Sequence, residues 1–325
     1  MSEFKLRVAT RKSALAMAQT TIVAEAIVKA NPGTSYELVS MTTEGDRRLD
    51  KSLASFGGKG VFIKELEVAL LEGRADIAVH SLKDMPAEVL PEFKLAAVLH
   101  REDPRDAFIA RGGVDGCKFM ELPAGARIGT GSIRRVVQLK ALRPDLEYVP
   151  IRGNIQTRLS KLAELDGVIL AAAGLKRMGL ADQVTEYFST EQMLPASGQG
   201  ILAIETLSSQ APAQSNLACH CEGDSTKQSL DAHLARVNDA ETYCIAVAEM
   251  AFLKALNAGC QFPVASFAEF VDAGTLKIRG IYWDETSQQL LRAEVQHSVS
   301  LESTDSIAQS RAAGVALAQK IREQL

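Results

Sequence analysis

The stretch Ala75-Asp76-Ile77-Ala78-Val79-His80-Ser81-Leu82-Lys83-Asp84-Met85-Pro86 indicates both a fold class and the position of a site. Residues 75–79 form a short, mostly apolar run that is typical of a buried strand. Pro86 limits any immediate continuation of regular structure, so the polar residues stand where the strand ends. Ligands bind at the carboxyl ends of strands in open α/β sheets. An imidazole, a hydroxyl, an ammonium and a carboxylate at this point therefore predict a functional site.

The segments around this stretch alternate between strand-like and helix-like patterns. Strands are predicted at residues 6–9 and 36–41, and helices at residues 13–30 and 61–72. Ser13 is in a favourable position to cap the first helix. This βαβαβ order predicts a parallel sheet covered by helices.

The same alternation starts again in the middle of the chain. Its predicted strands lie at 127–130, 147–151 and 168–172, and its predicted helices at 133–142 and 155–165. No short sequence repeat accompanies this architectural repetition. We therefore expect two lobes joined around residues 101–105, with a cleft between them.

The last third of the chain has a different pattern. Residues 208–228 are polar and predict a loop or an insertion, and an apolar helix follows. Three further strands are predicted at 263–271, 276–283 and 289–299, with a hairpin turn at 272–274 and a final helix at 305–323.

Together these patterns predict an α/β protein with two doubly wound lobes that resemble the lobes of periplasmic binding proteins. A small C-terminal α+β domain with a three-stranded antiparallel sheet completes the expected fold. We expect residues 1–100 with 201–218 in the first lobe, 101–200 in the second, and 219–325 in the C-terminal domain.

Composition excludes several classes of protein. The 325 residues are 46% hydrophobic and 23% charged, which is typical of a globular protein with more than one domain. No stretch approaches the roughly 20 apolar residues of a membrane span, and the formal charge of -4 argues against a general nucleic-acid binder. Five cysteines make a disulfide framework improbable. The first residues lack the layout of a secretion signal, so we expect cytoplasmic residence.

Arginines recur at strand-to-helix junctions. Gly129-Thr130-Gly131-Ser132 precedes Arg134 and Arg135, while Arg152-Gly153-Asn154 opens the next helix. Backbone N–H groups at such junctions bind anions, and arginine pairs with carboxylates and phosphates. The pattern predicts a multiply charged anionic ligand. The alternative is a set of solvated helix-face charges, and a mononucleotide site is disfavoured because the P-loop spacing is absent.

The other potentially reactive residues also have purely structural explanations. Asp84 beside Lys83 is also compatible with a surface ion pair, and Cys260 with a small buried apolar residue. The loop around Cys260 is nevertheless one where a thiol could be exposed. Cys219-His220-Cys221 matches no standard zinc spacing, so no metal site is predicted.

Several long motifs resemble the porphobilinogen deaminase (hydroxymethylbilane synthase) family. They occur in the family's order over most of the first 205 residues and again around the cysteine. The motifs are VATRKSALAMAQ (8–19), GGKGVFIKELEVALLEGRADIAVHSLKDMP (57–86), REDPRDAF (101–108), GTGSIRR (129–135), RGNIQTRLSKL (152–162), AAAGLKRMGL (171–180), LPASGQG (194–200) and AGCQFPV (258–264).

The resemblance implies a transferase that condenses four porphobilinogen molecules head to tail, with loss of ammonia at each step, to give hydroxymethylbilane for heme biosynthesis. It implies a dipyrromethane cofactor, itself made from porphobilinogen, joined to Cys260 by a thioether, and a catalytic role for Asp84. The implied cofactor-binding residues are Lys83, Ser81, Thr130, Ser132, Arg134, Arg135, Arg152 and Gly153. The implied substrate-binding residues are Arg11, Ser13, Gln19, Arg152, Arg158, Arg177 and Gln199.

The chain departs from the family pattern at a few positions. Glu44 and Ser55 replace residues that are usually basic, and Gly131 replaces a common serine. Around the cofactor loop, Met250 replaces the usual arginine, and Asn257-Ala258 replaces Glu-Gly. These changes affect the expected rate and loop details, whereas Asp84, Cys260 and the main arginines are present.

Two rival functions agree less well with the sequence than the synthase does. A non-catalytic two-lobed solute receptor is disfavoured by Cys260 and the Lys83-Asp84 pair, and a nucleotide-dependent enzyme by the missing glycine patterns. We expect porphobilinogen as substrate, no nucleic-acid or membrane partner, a monomer, and hand-over of the product to uroporphyrinogen-III synthase.

Overall fold

A computed structural model describes residues 4–42, 63–211, 224–258 and 262–325. The predictions for Cys260, residues 57–60, Glu44, Ser55 and residues 219–221 lie outside these ranges. The chain divides into two compact units: Met1–Arg101 with Ile201–Tyr243, and Glu102–Gly200 with Cys244–Leu325. Each unit is described by itself.

The first unit contains a five-stranded sheet in the order β2-β1-β3-β10-β4. Strands β1, β2 and β3 are parallel, and β10 runs antiparallel to β3 and β4. The strands are β1 (Phe4–Arg11), β2 (Thr34–Met41), β3 (Ile77–Ser81), β4 (Phe93–Val98) and β10 (Leu202–Leu207), and the helices are α1 (Ala14–Ala30), α2 (Lys64–Leu71) and α6 (Asp224–Ala235).

Helix α1 covers this sheet because its apolar residues share one face. Val23 and Ile27 are fully buried, and they pack with Leu6, Val8 and Ile77 of the strands. The side chain of Ser13 accepts a hydrogen bond from the N–H of Ala16, which confirms the predicted N-cap.

The second unit contains a five-stranded sheet in the order β7-β6-β8-β5-β9. Strands β6, β7 and β8 are parallel, and β5 runs antiparallel to β8 and β9. The strands are β5 (Asp106–Ala110), β6 (Arg127–Gly129), β7 (Glu147–Val149), β8 (Gly167–Ala171) and β9 (Glu186–Tyr187), and the helices are α3 (Ile133–Leu142), α4 (Ile155–Leu159) and α5 (Ala172–Arg177).

The strands predicted from the βαβ pattern are parallel, as expected, but each sheet also contains one antiparallel strand that the pattern does not predict. Strands β5 and β10 are antiparallel, and each begins soon after the chain has passed from one unit to the other, at Arg101–Glu102 and Gly200–Ile201. Because such a strand follows a segment of the other unit, no crossover helix joins it to the strand beside it, and it can pair in the antiparallel direction. The βαβ pattern concerns only strands joined by such helices.

The second unit also contains an antiparallel sheet in the order β11-β12-β13. Its strands are β11 (Val264–Asp272), β12 (Thr275–Asp284) and β13 (Gln289–Ser298), and α7 (Ala240–Ala255) and α8 (Ser306–Arg322) flank them in sequence. Asp272 pairs with Thr275, so the hairpin turn lies where it was predicted. Helix α8 packs on β12 and β13. The predicted fold class is confirmed, while the three-domain division stays a prediction.

Part of the predicted loop at 208–228 is helical. Helix α6 begins at Asp224, and its largely polar sequence lacks the hydrophobic periodicity that predicts a helix. Leu234 of this helix is almost fully buried and joins the core of the first unit. Within the described ranges, no helix is long and apolar enough to cross a membrane.

Candidate active site

The polar turn after β3 has the form that its sequence predicts. Residues Leu82–Asp84 form one 3-10 turn, which ends when the N–H of Met85 donates to the carbonyl of Leu82 at 3.0 Å. Leu82 and Met85 are buried, so they anchor the turn. Lys83 is half-buried and Asp84 is exposed. The buried side chains of Leu82 and Met85 therefore hold the backbone of the turn, while the Asp84 carboxylate faces solvent.

His80 does not belong to this exposed group. Its Nε2 lies 2.9 Å from Oε2 of Glu205 on the neighbouring strand β10, and both side chains are buried. Successive residues of a strand point to opposite faces, so burial of His80 accompanies partial exposure of Ser81. The expectation that the imidazole lies with Asp84 in the site is therefore corrected.

The structure brings Gln19 and Ser81 together. The Gln19 amide nitrogen lies 3.0 Å from the Ser81 hydroxyl, which joins helix α1 to the end of β3. Arg11 is the last residue of β1, and Ser13 is the N-cap described above. These four residues and the turn at Asp84 all belong to the first unit.

In the second unit, the GTGS turn leads from β6 into α3. Thr130 is buried, and its hydroxyl accepts a hydrogen bond from the N–H of Ser132 at 3.4 Å. Ser132 occupies the N-cap position, yet its side chain makes no capping hydrogen bond. A hydroxyl at a helix N-terminus that is not used for capping suits contact with an anion.

Arg134 and Arg135, in the first turn of α3, converge on one carboxylate. Nη1 of Arg134 lies 2.8 Å from Oδ2 of Asp106, and Nη2 of Arg135 lies 2.7 Å from Oδ1. Each guanidinium is also fixed by a backbone carbonyl, since Arg134 donates to Leu194 at 2.7 Å and Arg135 to Ile169 at 2.9 Å. All three charged side chains are buried.

The electrostatics of this cluster favour its charged form. Burial alone would raise the pKa of Asp106, but the guanidinium groups of Arg134 and Arg135 outweigh it and hold that pKa well below its usual value. Burial lowers the pKa of Arg134, and Asp106 opposes this shift. Two guanidiniums around one carboxylate leave one surplus positive charge.

The segment before α4 presents the next predicted residues. Asn154 caps this helix by accepting a hydrogen bond from the N–H of Thr157 at 2.8 Å. Gly153 has φ +99°, a conformation that favours glycine. Nε of Arg158 donates to the carbonyl of Gly153 at 2.8 Å, and Arg152 is exposed.

Arg177 and Gln199 lie close to the end of the LPASGQG segment. Nη2 of Arg177 donates to the carbonyl of Gly200 at 2.6 Å, and burial lowers the pKa of Arg177 to about 10. Nε2 of Gln199 donates to the carbonyl of Pro104 at 2.7 Å and lies 3.0 Å from Oδ1 of Asp106. Gln199 therefore joins the arginine cluster.

Asp106 and Glu205 are the polar residues that the sequence analysis did not single out. Each is a carboxylate within an otherwise mostly apolar strand, Asp106-Ala107-Phe108-Ile109-Ala110 and Leu202-Ala203-Ile204-Glu205. Acidic residues are almost never fully buried unless they are paired. From this rule the sequence could have predicted that Asp106 and Glu205 are paired with cations, but not which cation pairs with each.

The fold and the site define an α/β protein with a positively charged cluster suited to an anionic ligand. The family model described as "Porphobilinogen deaminase, dipyromethane cofactor binding domain" matches residues 6–215, and "Porphobilinogen deaminase, C-terminal domain" matches residues 243–323. The chain belongs to the porphobilinogen deaminase family.

Curated relatives agree with this membership. The porphobilinogen deaminase of Syntrophus aciditrophicus is 47% identical over 297 residues, which cover 90% of each chain. That of Ralstonia nicotianae is 43% identical over 319 residues, which cover 98% of this chain and 88% of the relative.

Solved structures show weaker likeness. The methionine-binding protein MetQ has a TM-score of 0.39 at 12% identity, over 71% of this chain and 96% of that one. A periplasmic domain of BvgS from Bordetella pertussis has a TM-score of 0.35 at 14% identity, over 71% of this chain and 92% of that one.

The donor set fits the dipyrromethane cofactor of the family. This group carries carboxylate side chains, and the second unit offers a surplus positive charge at Arg134 and Arg135. Nε and Nη2 of Arg134 make no hydrogen bond to the described residues, and Ser132 has a hydroxyl that is not used for capping. Guanidinium N–H groups and hydroxyls are suitable partners for carboxylates.

Proposed function

We propose that Asp84, Cys260 and a set of arginines carry out the reaction of the porphobilinogen deaminase family in this chain. The family's enzymes are transferases of tetrapyrrole biosynthesis that use a dipyrromethane cofactor. Porphobilinogen is the substrate, and four molecules are joined head to tail with loss of ammonia before hydroxymethylbilane is released. The observation that best supports the proposal is the buried cluster of Arg134 and Arg135 around Asp106.

The arginines offset the negative charge that accumulates in the site as the pyrrole chain grows. Every porphobilinogen unit carries an acetate and a propionate, so each coupling brings two more carboxylates into the site. Desolvation and mutual repulsion of these groups would oppose elongation without paired cations. We assign substrate contacts to Arg11, Ser13, Gln19, Arg152, Arg158, Arg177 and Gln199.

Asp84 is assigned the proton transfers. It is exposed at the end of a turn whose backbone is held by the buried residues Leu82 and Met85. Loss of ammonia and attack by a pyrrole create positive charge near the reacting atoms. A carboxylate there stabilises that charge and accepts or donates protons.

The cofactor is assigned to Cys260 as its covalent attachment point. When bound, it supplies the pyrrole end to which the first substrate molecule is joined. We assign contacts with the cofactor to Lys83, Ser81, Thr130, Ser132, Arg134, Arg135, Arg152 and Gly153. A tethered acceptor is held near the incoming unit, which removes much of the entropic cost of coupling.

The proposal also covers the compartment, the oligomeric state and the domain organisation of the enzyme. We place the enzyme in the cytoplasm as a monomer with three domains, the third of which carries Cys260. Hand-over of the product to uroporphyrinogen-III synthase is the proposed next step.

Intact mass of the purified protein tests the proposal. Chains from cells that make porphobilinogen should carry the extra mass of two linked pyrroles, and Cys260→Ser should lack it. Cys117→Ser is a matched control, because Cys117 is exposed and should leave the modification in place. An unmodified wild type, or a modified Cys260→Ser variant, would contradict the assignment.

A further inference from the structure

We propose that Asp106 is a positioning residue, which holds the guanidinium groups of Arg134 and Arg135 in the orientation that receives carboxylates. The inference rests on the proposed function and deepens it. Asp106 itself is fully buried and is not expected to touch the ligand.

Asp106 contacts the two guanidiniums through different oxygens, with hydrogen bonds to Arg135 and an ion pair without hydrogen-bond geometry to Arg134. Oδ1 accepts from Nε of Arg135 at 3.0 Å and from Nη2 at 2.7 Å, whereas Oδ2 faces Nη1 of Arg134 at 2.8 Å. The geometry leaves Nε and Nη2 of Arg134 without a hydrogen bond to the described residues. Nη1 of Arg134 is thus anchored, and Nε and Nη2 remain available.

Each arginine has a second anchor on the backbone. Nη1 of Arg135 donates to the carbonyl of Ile169, and Nη1 of Arg134 donates to that of Leu194. In Arg135 the contacts involve Nε, Nη1 and Nη2 and fix the plane of the guanidinium. In Arg134 both contacts are made by Nη1, so the charge of Asp106 restrains the position of that guanidinium. Because a bidentate contact with a carboxylate depends on the plane and position of a guanidinium, Asp106 determines whether the platform is preorganised.

The carboxylate of Asp106 is itself immobilised. Asp106 begins strand β5, where it pairs with Ala171 of β8, and Nε2 of Gln199 lies 3.0 Å from its Oδ1. The amide of Gln199 also binds the carbonyl of Pro104. The sheet therefore fixes the position of Asp106, and Asp106 in turn orients the arginines.

A purely electrostatic role for Asp106 predicts the opposite result from positioning. If the carboxylate only neutralised charge, Asp106→Asn would add one positive charge to the cluster and strengthen anion binding. If it positions the guanidiniums, the same change lets two buried like charges move apart and weakens binding. Asp106→Glu keeps the charge but displaces the carboxylate, so only the positioning role predicts a loss there.

The test compares Asp106→Asn, Asp106→Glu and wild type by intact mass, KM for porphobilinogen, and thermal midpoint. We expect the fraction of chains that carry the cofactor to fall, and KM of the loaded fraction to rise about tenfold, in both variants. Asp103→Asn is the control, since Asp103 pairs with Arg105 and Lys176 and should leave loading and KM unchanged.

The outcomes separate this inference from the proposed function. Unchanged or tighter binding in Asp106→Asn, or normal loading and KM in a folded Asp106→Glu, would overturn the positioning role alone. If Asp106→Asn does not fold, Asp106→Glu decides the question. An unmodified wild type would overturn the proposed function and this inference with it.

Discussion

A Cβ atom built on Gly131 would lie only 2.5 Å from the carbonyl oxygen of Ile151. The turn before α3 therefore passes against the end of the neighbouring segment with no room for a side chain. The family often has a serine at this position, whereas this chain has glycine. The close approach of the two backbones explains why glycine suits this chain.

Gly131→Ala should accordingly destabilise the protein. The new methyl group forces the turn or residue 151 to shift, and such overpacking costs about 1–3 kcal/mol. We expect the thermal midpoint of unfolding to fall by roughly 2–10 °C. Gly274→Ala is the matched control, because nothing lies within 4 Å of a Cβ built there. Equal midpoints for the two variants would contradict the predicted clash.

The sequence predicts the site better where partners are local than where they are distant. The run at 75–79 and Pro86 locate the turn at Asp84, and the GTGS segment locates the start of α3. The partners of the charged residues are remote, since Asp106 and Arg135 are 29 positions apart and His80 and Glu205 are 125 apart. Both pairings involve β5 or β10, the antiparallel strands that the βαβ pattern does not include. For this reason the local pattern predicts neither the burial of His80 against Glu205 nor the pairing of Asp106 with the arginines.

Arg152→Leu and Arg177→Leu should differ in stability although both impair product formation. Arg152 is exposed, and interactions of exposed charged side chains contribute about 0–1 kcal/mol, so its replacement should change the free energy of unfolding by less than about 1 kcal/mol. Arg177 donates to the carbonyl of Gly200 at 2.6 Å, and loss of this charged hydrogen bond should cost about 1–3 kcal/mol.

Denaturant unfolding and a product assay on the same preparations test this contrast. If either variant formed product at the normal rate, that arginine would not belong to the anion site. If both were equally stable, the hydrogen bond to Gly200 would contribute less than its geometry indicates.

Asp84→Ala should remove most turnover and leave the fold intact. Proton transfer by a positioned side chain contributes about 10²–10⁴-fold to rate, and Asp84 is exposed, so its loss leaves no buried group unpaired. We expect an unchanged thermal midpoint and an unchanged cofactor mass. Asp84→Glu keeps the carboxylate and should retain more activity than Asp84→Ala. Near-normal turnover in Asp84→Ala would exclude the assigned role.

Glu67 should make the stability of the protein depend on pH near neutrality. This side chain of α2 is half-buried, and burial raises its pKa from 4.5 to about 7. The nearby carboxylates Glu205 and Glu92 raise the pKa further, and His80 opposes them. The folded state therefore retains a proton at Glu67, between pH 4.5 and 7, that the unfolded state releases.

The sign of the effect follows from this difference in proton binding. The contribution of Glu67 is fully present below pH 4.5 and is lost as pH rises through about 7. Partial exposure reduces it to about 1–2 kcal/mol. Glu67→Gln stays neutral at every pH, so its free energy of unfolding should exceed that of wild type more at pH 8 than at pH 5. Urea unfolding at both values measures the difference, with Glu72→Gln as control because Glu72 is exposed at the end of the same helix. If the difference between wild type and Glu67→Gln were the same at both pH values, Glu67 would be ionised in the folded protein throughout this range.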